Sequence, residues 1–186
     1  TNAKPAMLDD NRKDIRNIDL ITIDGSDARD FDDAVWAEKD QTKNNKDGWR
    51  IIVAIADVAH YVKPEDALDI EAKKRGNSVY FPDRVIPMLP EALSNGMCSL
   101  RPNEDRACLA VQITIDKQGK KLSHKFFRAL MCSKARVTYE DLQSTFDSKE
   151  KEQSSENFIA KLAIPLYGAF NALYNARLSR GALDIE

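Results

Sequence analysis

Apolar and polar positions change period several times along the chain, and each change marks an element. Ile18, Leu20, Ile21 and Ile23 form a short apolar run that ends at Asp24-Gly25-Ser26. This pattern predicts a buried strand running into a loop. Residues 34–38 and 49–58 predict two further strands, joined by a polar stretch with the composition of a solvated hairpin loop, so that the pair is antiparallel. Pro64-Glu65-Asp66 opens a predicted helix through Lys74, with Gly76 just past its basic last turn. Between residues 78 and 103, Pro82, Pro87, Pro90 and Pro102 exclude a long regular element and predict a constrained surface path. Residues 109–115 alternate, reach Asp116-Lys117-Gln118-Gly119, and resume over 122–130, which predicts a hairpin. Two helices close the chain, at 139–146 and at 156–180, the second ended by Gly181.

Residues 1–17 are polar and charged, with Pro5 and the Asp9-Asp10 pair, and read as a linker or lead-in from a preceding domain. Organised structure is expected from Ile18 onward. The start at Thr1 and the strand-like Leu183-Asp184-Ile185 at the other end read as the two ends of a piece of a longer protein. The elements add up to an α+β fold, a twisted and mostly antiparallel sheet flanked by helices, with an acidic loop at one edge of the sheet.

Composition narrows the chemistry. The chain has 186 residues, 42% hydrophobic and 31% charged, which is the balance of a packed protein rather than a disordered one. Lys plus Arg number 28 against 30 Asp plus Glu, a formal charge of −2, so no global basic footprint exists for gripping a polyanion by charge alone. Binding of nucleic acid would need a local basic surface, a bound cation or other domains. Cys98, Cys108 and Cys132 lack C-x-x-C spacing, and only His60 and His124 could join them, so neither a zinc site nor a disulfide framework is indicated. Apolar runs such as 51–56 are too short to span a membrane, and no signal peptide opens the chain. A reducing, cytoplasmic compartment is the expectation.

The chemically informative stretch runs from Thr22 to Val35 and places Asp24, Asp27, Asp30, Asp32 and Asp33 within ten residues at the end of a predicted strand. Close carboxylates repel one another and raise each other's pKa. A divalent cation is the simplest compensation, and hard oxygen ligands without nearby Cys or His suit Mg²⁺ or Mn²⁺. If Asp30-Phe31-Asp32 is extended, Asp30 and Asp32 share a face while Asp33 points away, so a bend is needed to bring all of them to Asp24. A calcium loop starting at Asp24 is excluded, because its sixth and twelfth places hold Arg29 and Val35 rather than Gly and Glu. The alternative is a solvated acidic turn. Against it stand the apolar strand directly before the cluster, the strand directly after it, and Ala28 and Phe31 within it.

This segment resembles the RNB catalytic domain of the RNase II and RNase R exoribonucleases, and RNase R most. The resemblance continues through 49–62 (WRIIVAIADVAHYV), 75–99 (RGNSVYFPDRVIPMLPEALSNGMCS) and Ala135-Arg136-Val137-Thr138-Tyr139; residues 39–47 and 144–156 match little. It implies that residues 18–186 are the N-terminal half of that catalytic domain. By the same resemblance Asp24, Asp30, Asp32 and Asp33 are the carboxylates of a magnesium site, with Mn²⁺ as a substitute, while Asp27 falls at a position not assigned to metal. Asp32 matches the carboxylate whose loss most hurts cleavage, and Tyr80 matches a tyrosine that packs against nucleotides near the RNA 3′ end and helps set the length of the final product.

The implied activity is hydrolytic removal of nucleoside 5′-monophosphates in the 3′→5′ direction from single-stranded RNA. Other RNA-decay partners would be engaged through domains outside these residues. Because the family carries RNA-binding OB-type domains on both sides, and a catalytic arginine in the second half of the domain, the present residues alone are expected to have little activity. Two other classes fit less well: a non-catalytic interaction module, disfavoured by the presence of all four matched aspartates, and an unrelated metallophosphoesterase, disfavoured by the likeness at 75–99. His60 and Tyr61 read as structural, and Arg75, Arg84, Arg101 and Arg106, in or beside the proline-rich path, could meet phosphates but read first as solvated surface.

Overall fold

The chain is described over residues 4–147 and 158–183 in a computed structural model. Its strands are β1 (Lys13–Asp14), β2 (Ile21–Asp24), β3 (Asp33–Lys39), β4 (Trp49–Ala56), β5 (Val79–Tyr80), β6 (Val85–Ile86), β7 (Asp105–Ile115), β8 (Lys121–Cys132) and β9 (Ala135–Thr138). Its helices are α1 (Val58–Tyr61), α2 (Ala67–Arg75), α3 (Tyr139–Asp147) and α4 (Phe158–Ser179). Seven strands form one sheet in the order β1-β8-β7-β4-β3-β2-β9, and β5 and β6 form a separate two-stranded ribbon. The central neighbours from β8 to β2 are antiparallel, while β1 on β8 and β9 on β2 are parallel. A mostly antiparallel sheet with helices is therefore what the alternating patterns build.

Register follows from which face each residue must bury. On one face, Ala37, Trp49, Ile51 and Ile115 pack against Ala169 and Ala172 of α4. Gly168 permits this approach, since a Cβ there would lie 2.3 Å from the Trp49 ring. Gly119, in the β7–β8 turn at φ +81°, does the same at the far end, where a Cβ would lie 2.1 Å from the Ala172 carbonyl oxygen. On the opposite face a larger core gathers Ile52, Ala54, Cys108, Ala110, Ala129 and Met131 under Leu93, Cys98 and Leu100 from the proline-rich path. Phe31, from the acidic loop, is buried in that same core.

Several expectations shift. Paired structure begins at Lys13, not Ile18: Ile15 is 1% exposed and its N–H donates to the Leu130 carbonyl at 3.0 Å. The polar loop between β3 and β4 is anchored rather than fully solvated. Buried Asn45 donates from Nδ2 to Asp40 Oδ2 at 2.8 Å and to the Ile115 carbonyl at 3.0 Å. That first bond holds the Asp40 carboxyl below its ordinary value. The strand expected over 49–58 ends at Ala56, and Val58–Tyr61 forms a helical turn. Helix α2 is delimited as expected, with the Asp66 side chain accepting from the Asp69 N–H and Gly76 at φ 76°. The strands β5, β6 and β9 had no counterpart in the periodicity. The expected beginning of α4 at 156–157 and most of the expected strand at 183–185 lie outside the described residues.

The lead-in is held by a buried charge cluster. Arg12, its side chain 2% exposed, donates from Nη2 to Asp57 Oδ2 at 2.8 Å, and the same nitrogen lies 3.1 Å from His60 Nδ1. Arginine can only donate, so His60 Nδ1 must keep its lone pair, and protonating it would set two donors face to face. Burial first, then the charge of Arg12, lowers the His60 pKa.

Two outcomes follow from this cluster. Arg12→Met leaves Asp57 buried with only the distant Arg128 cation at 3.9 Å. Urea denaturation should show a loss of about 3 kcal/mol, the scale for removing one partner of a buried pair. Because the folded His60 pKa is depressed, the unfolded chain takes up the proton first on acidification, so this contribution is present above about pH 6.5 and is lost as pH falls below it. The thermal midpoint should drop between pH 7.5 and 5.5, and less steeply in His60→Gln.

Candidate active site

The acidic loop leaves the sheet at Asp24, the last residue of β2, and returns at Asp33, the first of β3. Ile21 and Thr22 are fully buried, which fixes the exit point of Asp24 between β3 and β9. Gly25 to Ala28 make a turn closed by the Ala28 N–H onto the Gly25 carbonyl at 3.1 Å.

The rest of the loop is pinned by its backbone. The Phe31 N–H donates to Ser99 Oγ at 3.0 Å, and the Phe31 carbonyl accepts from the Leu100 N–H at 2.8 Å. The Asp32 carbonyl accepts from the Ala56 N–H at 2.9 Å. Ser99 is fully buried, and its carbonyl accepts from Arg106 Nε at 2.9 Å. Phe31 is therefore held by core packing and by hydrogen bonds on both its backbone groups, and the carboxylates on either side of it are carried along.

The charges of Asp30 and Asp33 act on both Asp24 and Asp32. The Asp24 pKa is raised, by burial first, then by the charges of Asp33 and Asp30, with Thr22 and Arg136 pulling the other way. Neither closes a hydrogen bond onto Asp24 Oδ2, which is buried without a partner. Asp32 is more exposed as a residue, yet its pKa is raised too, by partial desolvation of the carboxyl and then by Asp30 and Asp33. Asp27, left out of the predicted set, is exposed in the turn.

Tyr80 reaches the same place from the proline-rich path. It lies on the β5–β6 ribbon, 67% exposed, and its phenol pKa is raised by the Asp30 charge first, then by burial and the Asp32 charge. Cys98 sits beneath, its thiol pushed up to about 11 by burial and then by Asp32, so it is protonated and inert as a nucleophile. The fold thus brings Asp24, Asp30, Asp32, Asp33 and Tyr80 into one electrostatic neighbourhood, although Tyr80 is 47 positions or more from each aspartate in sequence.

Among the described residues, no three His, Cys, Asp or Glu side chains converge closely enough to hold an ion between them. The carboxylates are gathered but still spread, as uncompensated like charges require. The donor set nonetheless fits a hard divalent cation: oxygen ligands only, a surplus of negative charge, and one buried carboxylate oxygen lacking any proton donor. Sequence reasoning missed Ser99 and gave no role to Arg136. Arg136 Nη2 donates to the Gly25 carbonyl at 2.9 Å and to the Ser26 carbonyl at 2.8 Å. Both contacts span more than sixty residues, beyond any local pattern.

The chain is similar to known proteins in sequence and in fold. The RNB domain family model matches residues 12–186. Ribonuclease R of Vibrio parahaemolyticus is 48% identical over 176 residues, covering 94% of this chain and 20% of that protein. A solved structure of Mycoplasma genitalium RNase R in complex with double-stranded RNA superimposes with a TM-score of 0.85 at 32% identity, over 95% of this chain and 30% of that one. Yeast Ssd1, described as a pseudonuclease, superimposes at 0.69 with 17% identity over 90% of this chain and 20% of that one, and shares the fold alone. The chain thus spans about a fifth of the length of the Vibrio relative, and it belongs to the RNB domain family, with ribonuclease R among its similar members.

Proposed function

We propose that this chain is the N-terminal half of the catalytic domain of a magnesium-dependent 3′→5′ exoribonuclease that hydrolyses RNA to nucleoside 5′-monophosphates. The observation that carries the reading is the loop itself: four neighbouring carboxylates, two of them raised in pKa by burial and by the charges of the other two, one with a buried oxygen that has no proton donor, beside an exposed tyrosine. Asp24, Asp30, Asp32 and Asp33 would hold Mg²⁺, or Mn²⁺ in its place. When bound there, a divalent cation supplies charge neutralisation and Lewis acidity for in-line attack of water on a phosphodiester.

The chain's own residues prepare that chemistry. The backbone pins on Phe31 and Asp32 fix where Asp30 and Asp32 emerge, which spares reorganisation when substrate arrives. Tyr80 offers an exposed ring on which a base near the 3′ end would stack, worth about 1–3 kcal/mol in single-strand binders. The substrate is single-stranded RNA entering by its 3′ end, and the activity belongs to a polypeptide longer than these residues, with other RNA-decay partners met through its other domains. A cytoplasmic location accords with three cysteines that are all free. Among the described residues no helix is long and apolar enough to cross a membrane.

The fold alone does not carry catalysis, since a pseudonuclease has it. The four carboxylates argue for an active enzyme over a binding module. In the full-length parent, Asp32→Asn should lower the rate of shortening of 5′-labelled single-stranded RNA by more than about a hundredfold, in keeping with several kcal/mol of metal-derived stabilisation. RNA affinity should stay within about twofold, as expected for a group used in the transition state rather than in binding. Normal degradation by this variant would return the cluster to an acidic turn. Tyr80→Ala should weaken binding of short RNA by about fivefold or more and change the length of the final product, whereas Tyr80→Phe should behave as wild type because stacking needs only the ring. Gel analysis of the end products distinguishes the two.

A further inference from the structure

Arg136 stands on β9, the parallel neighbour of β2, with Arg136 opposite Thr22 and Thr138 opposite Asp24 in the register. From there its guanidinium reaches the loop that follows Asp24. Nη2 donates to both the Gly25 and the Ser26 carbonyl oxygens. The Gly25 carbonyl is also the acceptor that closes the turn onto Ala28, so Arg136 and the turn hold the same atom. The guanidinium carbon lies 5.1 Å from the centroid of the Phe31 ring. Phe31 separates Asp30 from Asp32. One cation therefore touches the segment just after the first carboxylate and the residue between the second and third.

We infer that Arg136 is a positioning residue that clamps the turn between Asp24 and Asp30, limiting how far the carboxylates must move to close on a divalent cation. The inference rests on the function proposed above. Its physical basis is the shape of the group. A planar guanidinium donates in its own plane to two carbonyls and presents its face to an aromatic ring, while an ammonium is a point charge that does neither in a fixed geometry. Its charge also offsets the repulsion among carboxylates before a cation arrives, which keeps the loop from opening. Arg136 lines an open cleft of about 870 Å³ beside the loop, together with Arg29, Arg101 and Phe31, so the clamp is reached by solvent and does not form part of the sheet's core.

The test uses the full-length parent carrying Arg136→Lys or Arg136→Gln. Mn²⁺ affinity is read by electron paramagnetic resonance, the Mg²⁺ concentration for half-maximal RNA degradation by titration, and RNA affinity in chelator by fluorescence anisotropy. Both variants should lose about tenfold or more in Mn²⁺ affinity, the usual cost of losing an outer partner of metal ligands. The half-maximal Mg²⁺ concentration should rise to match, saturating Mg²⁺ should restore most of the maximal rate, and RNA affinity in chelator should be unchanged. Unchanged Mn²⁺ affinity in both variants overturns the clamp, and wild-type affinity in Arg136→Lys with loss only in Arg136→Gln overturns it in favour of charge alone. Should both variants fail to fold, Phe31→Leu removes the ring under the guanidinium while keeping the core filled. It should cost about two- to fivefold in Mn²⁺ affinity, the scale of an exposed cation–π contact. No change there overturns the clamp. A wild-type parent that binds no Mn²⁺ overturns the proposed function and the clamp with it; wild-type binding with unaffected variants overturns the clamp alone.

Discussion

Five aspartates crowd one ten-residue segment, and the fold holds that segment in place by burying the side chain of Phe31 in their midst. Phe31 sinks into the core shared by β4, β7 and the proline-rich path. Its two backbone groups bond to Ser99 and Leu100. This anchoring spends core packing on a segment whose charges would otherwise drive it into solvent. Removing apolar contact from a buried aromatic typically costs about 3–5 kcal/mol, the same order as the repulsion to be resisted. The geometry of the acidic loop is thus set by hydrophobic burial rather than by the acidic residues.

The sheet explains why the anchor is in the right place. Strands β2 and β3 put Asp24 and Asp33 at adjacent strand ends, and the Ala56 N–H at the end of β4 catches the Asp32 carbonyl. The proline-rich path crosses the same end of the sheet, carrying Ser99 and Leu100 beneath the loop and Tyr80 beside it. Irregular backbone concentrates where the chemistry is expected, while the long hairpin of β7 and β8 supplies the rigid scaffold.

Periodicity made β2, β3, β4 and the β7–β8 hairpin legible because each is long enough to alternate or to end at a turn signal. Helix α2 was bounded correctly by Asp66 and Gly76, which act locally. The pattern could not reveal β1, whose two polar residues are held by the burial of Ile15 and the Arg12–Asp57 pair beside them. Nor could it reveal β9, four residues at the sheet edge that find their strand partner in β2, far away in sequence. The aspartates stood out because chemistry and spacing coincide within ten residues. Ser99 and Arg136 did not, since each acts on the loop from 68 and from 110 or 111 positions away.

The proposed function requires that the acidic loop serve metal-dependent hydrolysis. The most direct measurement is mass analysis of the products formed from single-stranded RNA by the full-length parent, with chelator and after Mg²⁺ is added back. The expected result is no degradation in chelator, recovery with Mg²⁺, and mononucleotides bearing 5′-phosphates. Degradation that persists in chelator, or products ending in 2′,3′-cyclic phosphates, would contradict it.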